Sequence, residues 1–290
     1  MSGAAVKVLV INLDRSPERL AFMRSELDRL GLSFERLSAT DAKQFSEQDV
    51  EKWSNTYMRP LSRTEIACWH SHVRAWERCV EEDGWLLVLE DDARLSDRLP
   101  AFLAELESLG VDGIVNLETR GKEKWVGAAV EATAAESEVR LYELFIDRGG
   151  TAGYLVEPKV ARQLIAIAAR KAAPSDAFLN LAGVKRHQAE PGLVVSLFDA
   201  EGESVMPEAF VSTIQQPTQV SRVAQFVRNP GYKLRRLHGH LAMSWRKLAA
   251  SRRGVRRSIA LCPSFLARTT SPSDIQKPTA EIRAGIRKVS

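Results

Sequence analysis

Short apolar runs alternate with amphipathic segments along the first two-thirds of this 290-residue chain. The run VKVLVI (6–11) is followed by a helix signal that begins at Ser16 and ends at Gly31. A second helix signal, opened by a Ser62–Glu65 capping box, precedes the apolar run WLLVLE (85–90). This alternation predicts an α/β domain in which helices cover both faces of a parallel sheet.

The pattern is less regular after residue 117. The polar stretch 118–140 carries Gly and Ala, and we expect a loop there. The remaining predictions are strands at 141–146, 149–156 and 193–198 and helices at 158–173 and 174–183. Beyond them the pattern stops, so the predicted body is 1–210 and residues 211–290 form an extension.

The charges are divided between these two parts. Residues 211–290 carry 16 Lys and Arg against 2 acidic residues, whereas 1–210 carry 25 against 35. In the extension, Leu237, Leu241, Trp245 and Leu248 recur among the cations at helical spacing, which predicts a basic amphipathic helix that adsorbs on an anionic membrane. A helix that packs back on the acidic body is the alternative. We expect no nucleic-acid partner, because the body shows no nucleic-acid-binding module.

The chain shows no export or membrane-spanning signal. The N-terminus MSGAAVKVLVINL has neither a cleavage signature nor enough apolar residues for a span. Three cysteines without a CxxC pair indicate neither a disulfide framework nor a zinc site. We therefore expect a cytoplasmic protein, peripheral on the inner face of the cytoplasmic membrane.

Three consecutive acids, Glu90, Asp91 and Asp92, follow the run WLLVLE. Ligands of open α/β sheets bind beyond the carboxyl ends of the strands. Crowded carboxylates at such a place repel one another unless a cation offsets their charge. Because the set holds only oxygen ligands, Mn²⁺ or Mg²⁺ is favoured over zinc. Such an ion commonly holds a diphosphate. The alternative is a solvated turn at the entry of a helix.

Six motifs resemble those of glycosyltransferase family 25, the lipooligosaccharide galactosyltransferase type. They occur in the family's order, as VLVINLDRSPER (8–19), ATDA (39–42), TEIACWHSH (64–72), VLEDDA (88–93), GGTAGYLV (149–156) and APSDAFL (173–179). Thr64, Ala67, Ala42 and Ser175 depart from the residues usual at their positions, which puts the identity of the substrate in doubt. The resemblance spans about residues 6–200.

The resemblance implies a GT-A-like nucleotide-binding sheet with a basic helical C-terminal extension, a UDP-sugar donor and a divalent metal. Asp92 is the implied metal ligand, Asp91 shares the ion or holds the ribose, and Glu90 shapes the turn. Arg19 holds the first loop or a phosphate, unless it is an ordinary surface residue. The other residues implied on the donor side are Ile11, Asn12, Leu13, Arg15, Thr40 and Asp41.

The later motifs imply which residues lie on the acceptor side of the site. An inverting transfer needs one base for the acceptor hydroxyl, and Asp176 is the candidate for base or acceptor anchor, with helix capping as the alternative. Asp176 and Asp91 are the candidate catalytic residues. Thr151, Gly153, Tyr154 and His72 are the acceptor-side candidates, although Tyr154 and His72 also suit core packing. His187 is a weaker candidate for completing the metal shell.

These predictions combine into one hypothesis. The chain is expected to be a metal-dependent, inverting glycosyltransferase that moves a hexose, galactose, from a UDP-sugar to a saccharide or lipid-linked saccharide in surface-glycan assembly. The alternative is a non-catalytic module that binds a nucleotide or a glycan on the same fold.

Overall fold

The computed structural model describes residues 6–119, 121, 123–147, 149–197 and 250–265, together with 237, 241, 244 and 248. Its strands are β1 (Lys7–Asn12), β2 (Glu35–Ser38), β3 (Leu86–Glu90), β4 (Ala93–Leu95), β5 (Ile114–Asn116), β6 (Glu123–Ala134), β7 (Val139–Ile146), β8 (Gly153–Val156), β9 (Arg186–Glu190), β10 (Val194–Ser196) and β11 (Gly254–Ser258). Its α-helices are α1 (Pro17–Arg29), α2 (Glu47–Ser54), α3 (Arg63–Glu82), α4 (Leu99–Glu105), α5 (Pro158–Ala168) and α6 (Ser175–Leu181), and two 3-10 helices span Ala42–Gln44 and Leu106–Leu109.

A nine-stranded sheet in the order β11-β6-β7-β9-β5-β8-β3-β1-β2 forms the centre of the molecule. The mixed α/β architecture confirms the predicted fold class, but the expectation of a parallel sheet was wrong. β1 pairs in parallel with β2 and β3, whereas β8 runs antiparallel to both of its neighbours, β3 and β5. A strand that pairs in parallel with the strand before it needs a crossover connection, usually a helix. β5 and β8 are connected through the β6–β7 hairpin instead, and they pair antiparallel.

Both faces of the sheet are buried, as the continuous apolar runs predicted. Along β1, Val8 and Val10 pack in a core with α1 and α4, while Leu9 and Ile11 pack in a second core with α3, α5 and α6. Successive side chains of a strand point to opposite faces, so an uninterrupted apolar strand supplies both cores.

The stretch 118–140 was expected to form a loop, but it contains most of the β6–β7 hairpin. β6 pairs antiparallel with β7 along its length, with irregular register near Val126 and Val130. Residues 128–131 are exposed although three of them are apolar, so the middle of this strand lacks the alternation of apolar and polar residues that marks a half-buried strand. A strand stabilised by its ladder while facing water cannot be recognised from hydrophobicity alone.

The C-terminal extension returns to the sheet, which the sequence predicted to end by residue 210. β11 pairs antiparallel with β6, and the following residues contact the body. Gly192 N–H donates to the Ala260 carbonyl at 2.8 Å, and the buried Ser96 hydroxyl donates to Cys262 Sγ at 2.9 Å. Residues 254–265 are therefore part of the sheet domain, and not of a separate helical tail.

Other parts of the extension are helical where they are described, namely Leu237, Leu241, Ser244, Leu248 and 250–253. The remaining residues of 198–253 and those after 265 lie outside the described residues. In the described part of the chain, the helices are too short or too polar to cross a bilayer.

A buried ion pair between the two arms of the hairpin is hydrogen-bonded to the centre of the sheet. Lys124 Nζ lies 2.9 Å from Asp147 Oδ2, with both side chains only 4% exposed. Lys124 also donates to Gln188 Oε1 at 2.8 Å, and Asn116 donates to Asp147 at 2.6 Å. The Asn180 amide donates to the Asp147 carbonyl at 2.7 Å, so the same cluster fixes the position of α6.

Replacing Lys124 by Met should lower the free energy of unfolding by about 3–5 kcal/mol, since it leaves Asp147 charged and buried without its partner. Urea unfolding measures this loss. Lys185→Met is the matched control, because the Lys185–Asp112 pair is 47% and 58% exposed and its loss should cost about 1 kcal/mol or less. Equal losses in the two variants would contradict a structural role for the buried pair.

Candidate active site

The parallel pairing of β1 with β2 and β3 brings the ends of three strands together. A pocket of about 130 Å³ opens beside these ends. Residues from the first four sequence motifs line it: Ile11, Leu13, Arg15, Arg19, Ala39, Thr40, Ala42, Thr64, Ala67, Cys68, Ser71, His72, Glu90, Asp91 and Asp92. Most of the predicted donor-side residues therefore lie around one cavity.

Asp91 is held from two sides by residues of the first motif. Asn12 Nδ2 donates to Asp91 Oδ2 at 2.7 Å, and Arg19 NH2 lies 2.7 Å from Asp91 Oδ1. Asn12 also donates to the Ser16 carbonyl at 3.0 Å and accepts from Arg36 at 3.0 Å. Burial raises the pKa of Asp91, and Arg19 and Asn12 oppose that rise. The buried Asn12 thus orients Asp91, and it does not line the pocket itself.

Asp92 is the most deeply buried acid of the triplet, and the residues that the structure describes bind only one of its oxygens. Ser196 donates to Asp92 Oδ2 at 2.9 Å, and Arg19 NH2 lies 3.6 Å from the same oxygen. Oδ1 is buried and has no hydrogen-bond partner among the described residues. Burial and the nearby Glu90 charge raise the pKa of Asp92 to about 7. An unsatisfied buried carboxylate oxygen is costly unless a ligand binds it.

Glu90 connects the acids to the later motifs. Its carboxylate accepts from the Thr151 hydroxyl, and His72 Nε2 lies 3.4 Å from Oε1. His72 Nδ1 lies 3.0 Å from the Tyr154 hydroxyl, which also accepts from Trp76 Nε1 at 2.9 Å. Tyr154 is 1% exposed, so its hydroxyl serves this internal chain of hydrogen bonds.

Among the acceptor-side candidates, only His72 lines the pocket. A Cβ atom at Gly153 would lie 2.7 Å from Val194 Cγ2, so a side chain of β10 fills the space above this glycine. Close packing accounts for the glycine here.

Thr40 and Arg15 line the pocket near the end of β2, and Asp41 supports Arg15 from outside the lining. The Ser71 hydroxyl accepts from Thr40 N–H at 2.9 Å, and the Thr40 hydroxyl lies 2.9 Å from His70 Nδ1. Asp41 accepts from Lys43 N–H at 2.9 Å and forms an ion pair with Arg15. These contacts fix the backbone at the ATDA motif and keep the Arg15 guanidinium at the pocket wall.

Asp176 begins α6 outside the residues that line the pocket. Its Oδ1 accepts from Ala177 N–H at 2.7 Å, and the preceding Ser175 hydroxyl lies 3.4 Å from Cys68 Sγ on the pocket wall. Burial raises the pKa of Tyr57, and the Asp176 charge adds to that rise. Asp176 thus follows a residue that contacts the pocket wall, and it is close enough to Tyr57 to influence the pKa of that side chain.

Two neighbouring features were not predicted. Arg59 forms a bidentate ion pair with Glu65 at 2.5 and 2.9 Å, and the Asp176 charge contributes to its raised pKa. Ser196, which binds Asp92, lies on the last predicted strand and outside every motif. A lone Arg in a loop and a lone Ser on a strand give no signal in one sequence, because their partners are distant in the chain.

His187 lies away from this site, near the start of β9. It is fully buried, with Nε2 at 2.9 Å from the Asp112 carbonyl and Nδ1 at 3.0 Å from Glu131. Burial lowers its pKa.

The carboxylates fit a hard divalent cation such as Mn²⁺ or Mg²⁺. Asp91 and Asp92 line the pocket, and Asp92 Oδ1 is available as an oxygen ligand. Within the described ranges, no group of three or more His, Cys, Asp and Glu side chains is arranged to hold a metal. The pair therefore fits an ion that takes its other ligands from a phosphorylated substrate and water, as Mg²⁺ commonly does.

A mixed α/β sheet flanked by helices, with paired acids beside a pocket at a strand end, is the architecture of α/β proteins that bind a ligand at the ends of their strands. A family model described as glycosyltransferase family 25 (LPS biosynthesis protein) matches residues 5–179. The match covers more than half of the chain, so the chain belongs to glycosyltransferase family 25. The resemblance found in the six motifs is thereby confirmed.

Individual relatives agree with this assignment. A glycosyltransferase 25 family member of Anopheles gambiae is 37% identical over 97 residues, 30% of this chain and 16% of that protein. A putative glycosyltransferase of Haemophilus influenzae is 26% identical, over 68% of this chain and 73% of the relative. The lacto-N-neotetraose biosynthesis glycosyltransferase LgtB of Neisseria meningitidis is 28% identical, over 68% and 70%. The match with the insect protein spans about one sixth of that protein's length.

Replacing Arg19 by Gln should lower the free energy of unfolding by roughly 1–3 kcal/mol, because it leaves two buried carboxylates without their nearest positive charge. Chemical unfolding at neutral pH checks this. Arg15→Gln is the control, since the Arg15–Asp41 pair is 45% and 28% exposed and should contribute about 1 kcal/mol or less. A loss in Arg19→Gln no larger than in the control would count against the described arrangement.

Proposed function

We propose that the protein is a metal-dependent glycosyltransferase that moves galactose from UDP-galactose to a saccharide in lipopolysaccharide or lipooligosaccharide assembly, with inversion at the anomeric carbon. The buried Asp91–Asp92 pair at the end of β3, facing a pocket in a chain of this family, is the observation that carries the proposal. The family's role as LPS biosynthesis proteins and the similarity to LgtB support the glycan pathway.

The donor is proposed to bind along the ends of β1 and β2. Ile11 and Leu13 offer an apolar wall for the base, and the backbone held by Thr40 and Asp41 closes the other side. Asp91 and Asp92 would hold Mn²⁺ or Mg²⁺, which when bound supplies positive charge for the departing diphosphate. Arg19 lies beside both carboxylates and adds a second positive charge next to the diphosphate.

Asp176 is proposed to act from the acceptor side. The acceptor hydroxyl oxygen forms a bond with the anomeric carbon while the bond from that carbon to UDP breaks, and Asp176 takes the hydroxyl proton. Its place at the start of α6, near Tyr57 and next to Ser175 at the pocket wall, supports this role. Tyr57 and Arg59 provide an aromatic ring and a cation beside it, a combination suited to holding a sugar ring.

UDP-galactose with Mn²⁺ should raise the melting temperature of the protein by roughly 5 °C at saturation, because binding to the folded state stabilises it by mass action. Asp92→Asn should lose this shift, since it removes the charge of the proposed metal ligand. Asp97→Asn, which changes an exposed acid five residues away, is the control and should keep it. A full manganese-dependent shift in Asp92→Asn would refute the metal assignment.

Asp176→Asn should leave the UDP-galactose-induced melting shift unchanged and slow transfer at least roughly hundredfold, as expected for loss of a general base. UDP release, followed with oligosaccharides ending in galactose, glucose or N-acetylglucosamine, measures transfer. Asp112→Asn, at an exposed acid, is the control. Weaker donor binding with normal turnover would exclude the base role. A donor-induced shift with no turnover on any saccharide would favour a non-catalytic binding module.

A further inference from the structure

A second cavity, of about 480 Å³, lies beside the β6–β7 hairpin. The end of β6, the start of β7, the end of β9 and the segment after β11 line it, and its polar lining residues are Thr133, Glu138, Arg140, Tyr142 and Glu190. None of these five residues lines the pocket beside Asp91 and Asp92. The volume is typical of sites that hold a small molecule. We call this second cavity the hairpin cavity.

The acids of the hairpin cavity are already neutralised, whereas one of its cations is not. Glu138 forms an ion pair with Arg98 at 2.6 Å. Glu190 forms an ion pair with Arg257. The exposed Arg140 guanidinium forms neither an ion pair nor a hydrogen bond with any residue that the structure describes. The cavity therefore carries one uncompensated positive charge, which favours an anionic ligand.

The neighbours of Arg140 indicate which kind of anion fits. Arg140 lies opposite Thr133 of β6 on one side and opposite Glu190 of β9 on the other. Side chains that lie directly opposite each other on neighbouring strands are close together on one face of the sheet. A guanidinium binds a carboxylate or a phosphate through two parallel N–H groups, and a neighbouring hydroxyl can donate a further hydrogen bond. Arg140 and Thr133 together suit such a group.

The hairpin cavity and the candidate active site have residues on the same face and near the same edge of the sheet. One row of directly opposite residues crosses β3, β8, β5, β9 and β7, namely Val88, Tyr154, Asn116, Gln188 and Tyr142. Glu90, Glu190 and Arg140 each lie two residues from this row, towards one edge, and residues two apart in a strand share a face. Three strand spacings, about 14 Å, separate β9 from β3. An oligosaccharide of a few units can span that distance.

We propose that the hairpin cavity binds a carboxylate or phosphate group of the acceptor saccharide, with Arg140 as the charged contact, while another unit of the same saccharide reaches the pocket beside the acids. This inference rests on the proposed function and specifies it further, because it assigns the acceptor to the acidic oligosaccharides.

The test measures binding to the full chain by isothermal titration, without any donor. The probes are a tetrasaccharide that carries one glucuronate, its neutral counterpart with glucose in place of the glucuronate, and inorganic phosphate. The wild type should bind the acidic tetrasaccharide at least about tenfold more tightly than the neutral one, because only the acidic one forms charge-assisted hydrogen bonds with Arg140.

Arg140→Gln should bind the two tetrasaccharides equally. Arg140 is exposed, so the fold should be retained, and an unchanged melting temperature checks this. Lys159→Gln is the matched control, because Lys159 is an exposed cation of α5 outside the hairpin cavity, and this variant should keep the preference.

Two results would overturn the proposal directly: no preference in the wild type, or an unchanged preference in Arg140→Gln. Inorganic phosphate that binds as tightly as the acidic tetrasaccharide, and that Arg140→Gln no longer binds, would also overturn it, by assigning the cavity to a free anion.

Because no donor is present, these results do not depend on transfer. If the preference is found but no saccharide supports UDP release, the proposed function fails and the hairpin cavity remains a site for an acidic saccharide. If UDP is released equally well with acidic and neutral saccharides and the preference is absent, the transferase remains and the role of the hairpin cavity is refuted.

Discussion

The architecture of the pocket depends on keeping two adjacent carboxylates buried at the end of β3. Their mutual repulsion and their loss of water both oppose this arrangement, so the chain must bring compensating groups to them. Asn12 and Arg19 come from the strand and helix that open the sequence, and Ser196 comes from a strand more than 100 residues later. The parallel pairing of β1 with β3 places the first two groups beside the acids.

The sequence could predict those parts of the fold that are recorded in local patterns. The helices could be predicted from capping residues such as Ser62 and Glu65. The strands and the fold class could be predicted from apolar runs such as β1, which is buried on both faces of the sheet. The antiparallel direction of β8, the hairpin strand β6 and the returning β11 could not be predicted. They are decided by hydrogen-bond ladders between distant segments, and the residues of β6 and β11 carry weak or misleading hydrophobic periodicity.

The candidate site shows the same limit at the level of side chains. Sequence motifs brought Arg19, Thr40, His72 and the acids to one pocket, because each lies at the end of a strand or on the helix beside it. They could not separate side chains that face the cavity from side chains that complete the core, since both are polar residues inside apolar stretches. The His72–Tyr154–Trp76 chain and the Val194 side chain over Gly153 became visible only when distant segments were placed together.

The return of β11 to the sheet also bears on how this chain can vary. The chain leaves the sheet domain after Leu197 and returns to it at β11. The entropy of closing a connection between two fixed points grows only slowly with its length, by about 0.6 kcal/mol for each doubling. Changes of length or sequence within it therefore leave the sheet and its acids nearly unaffected. The candidate site and the connecting segment therefore belong to separate parts of the chain, and a protein of this plan can accept a different connecting segment without rebuilding its pocket.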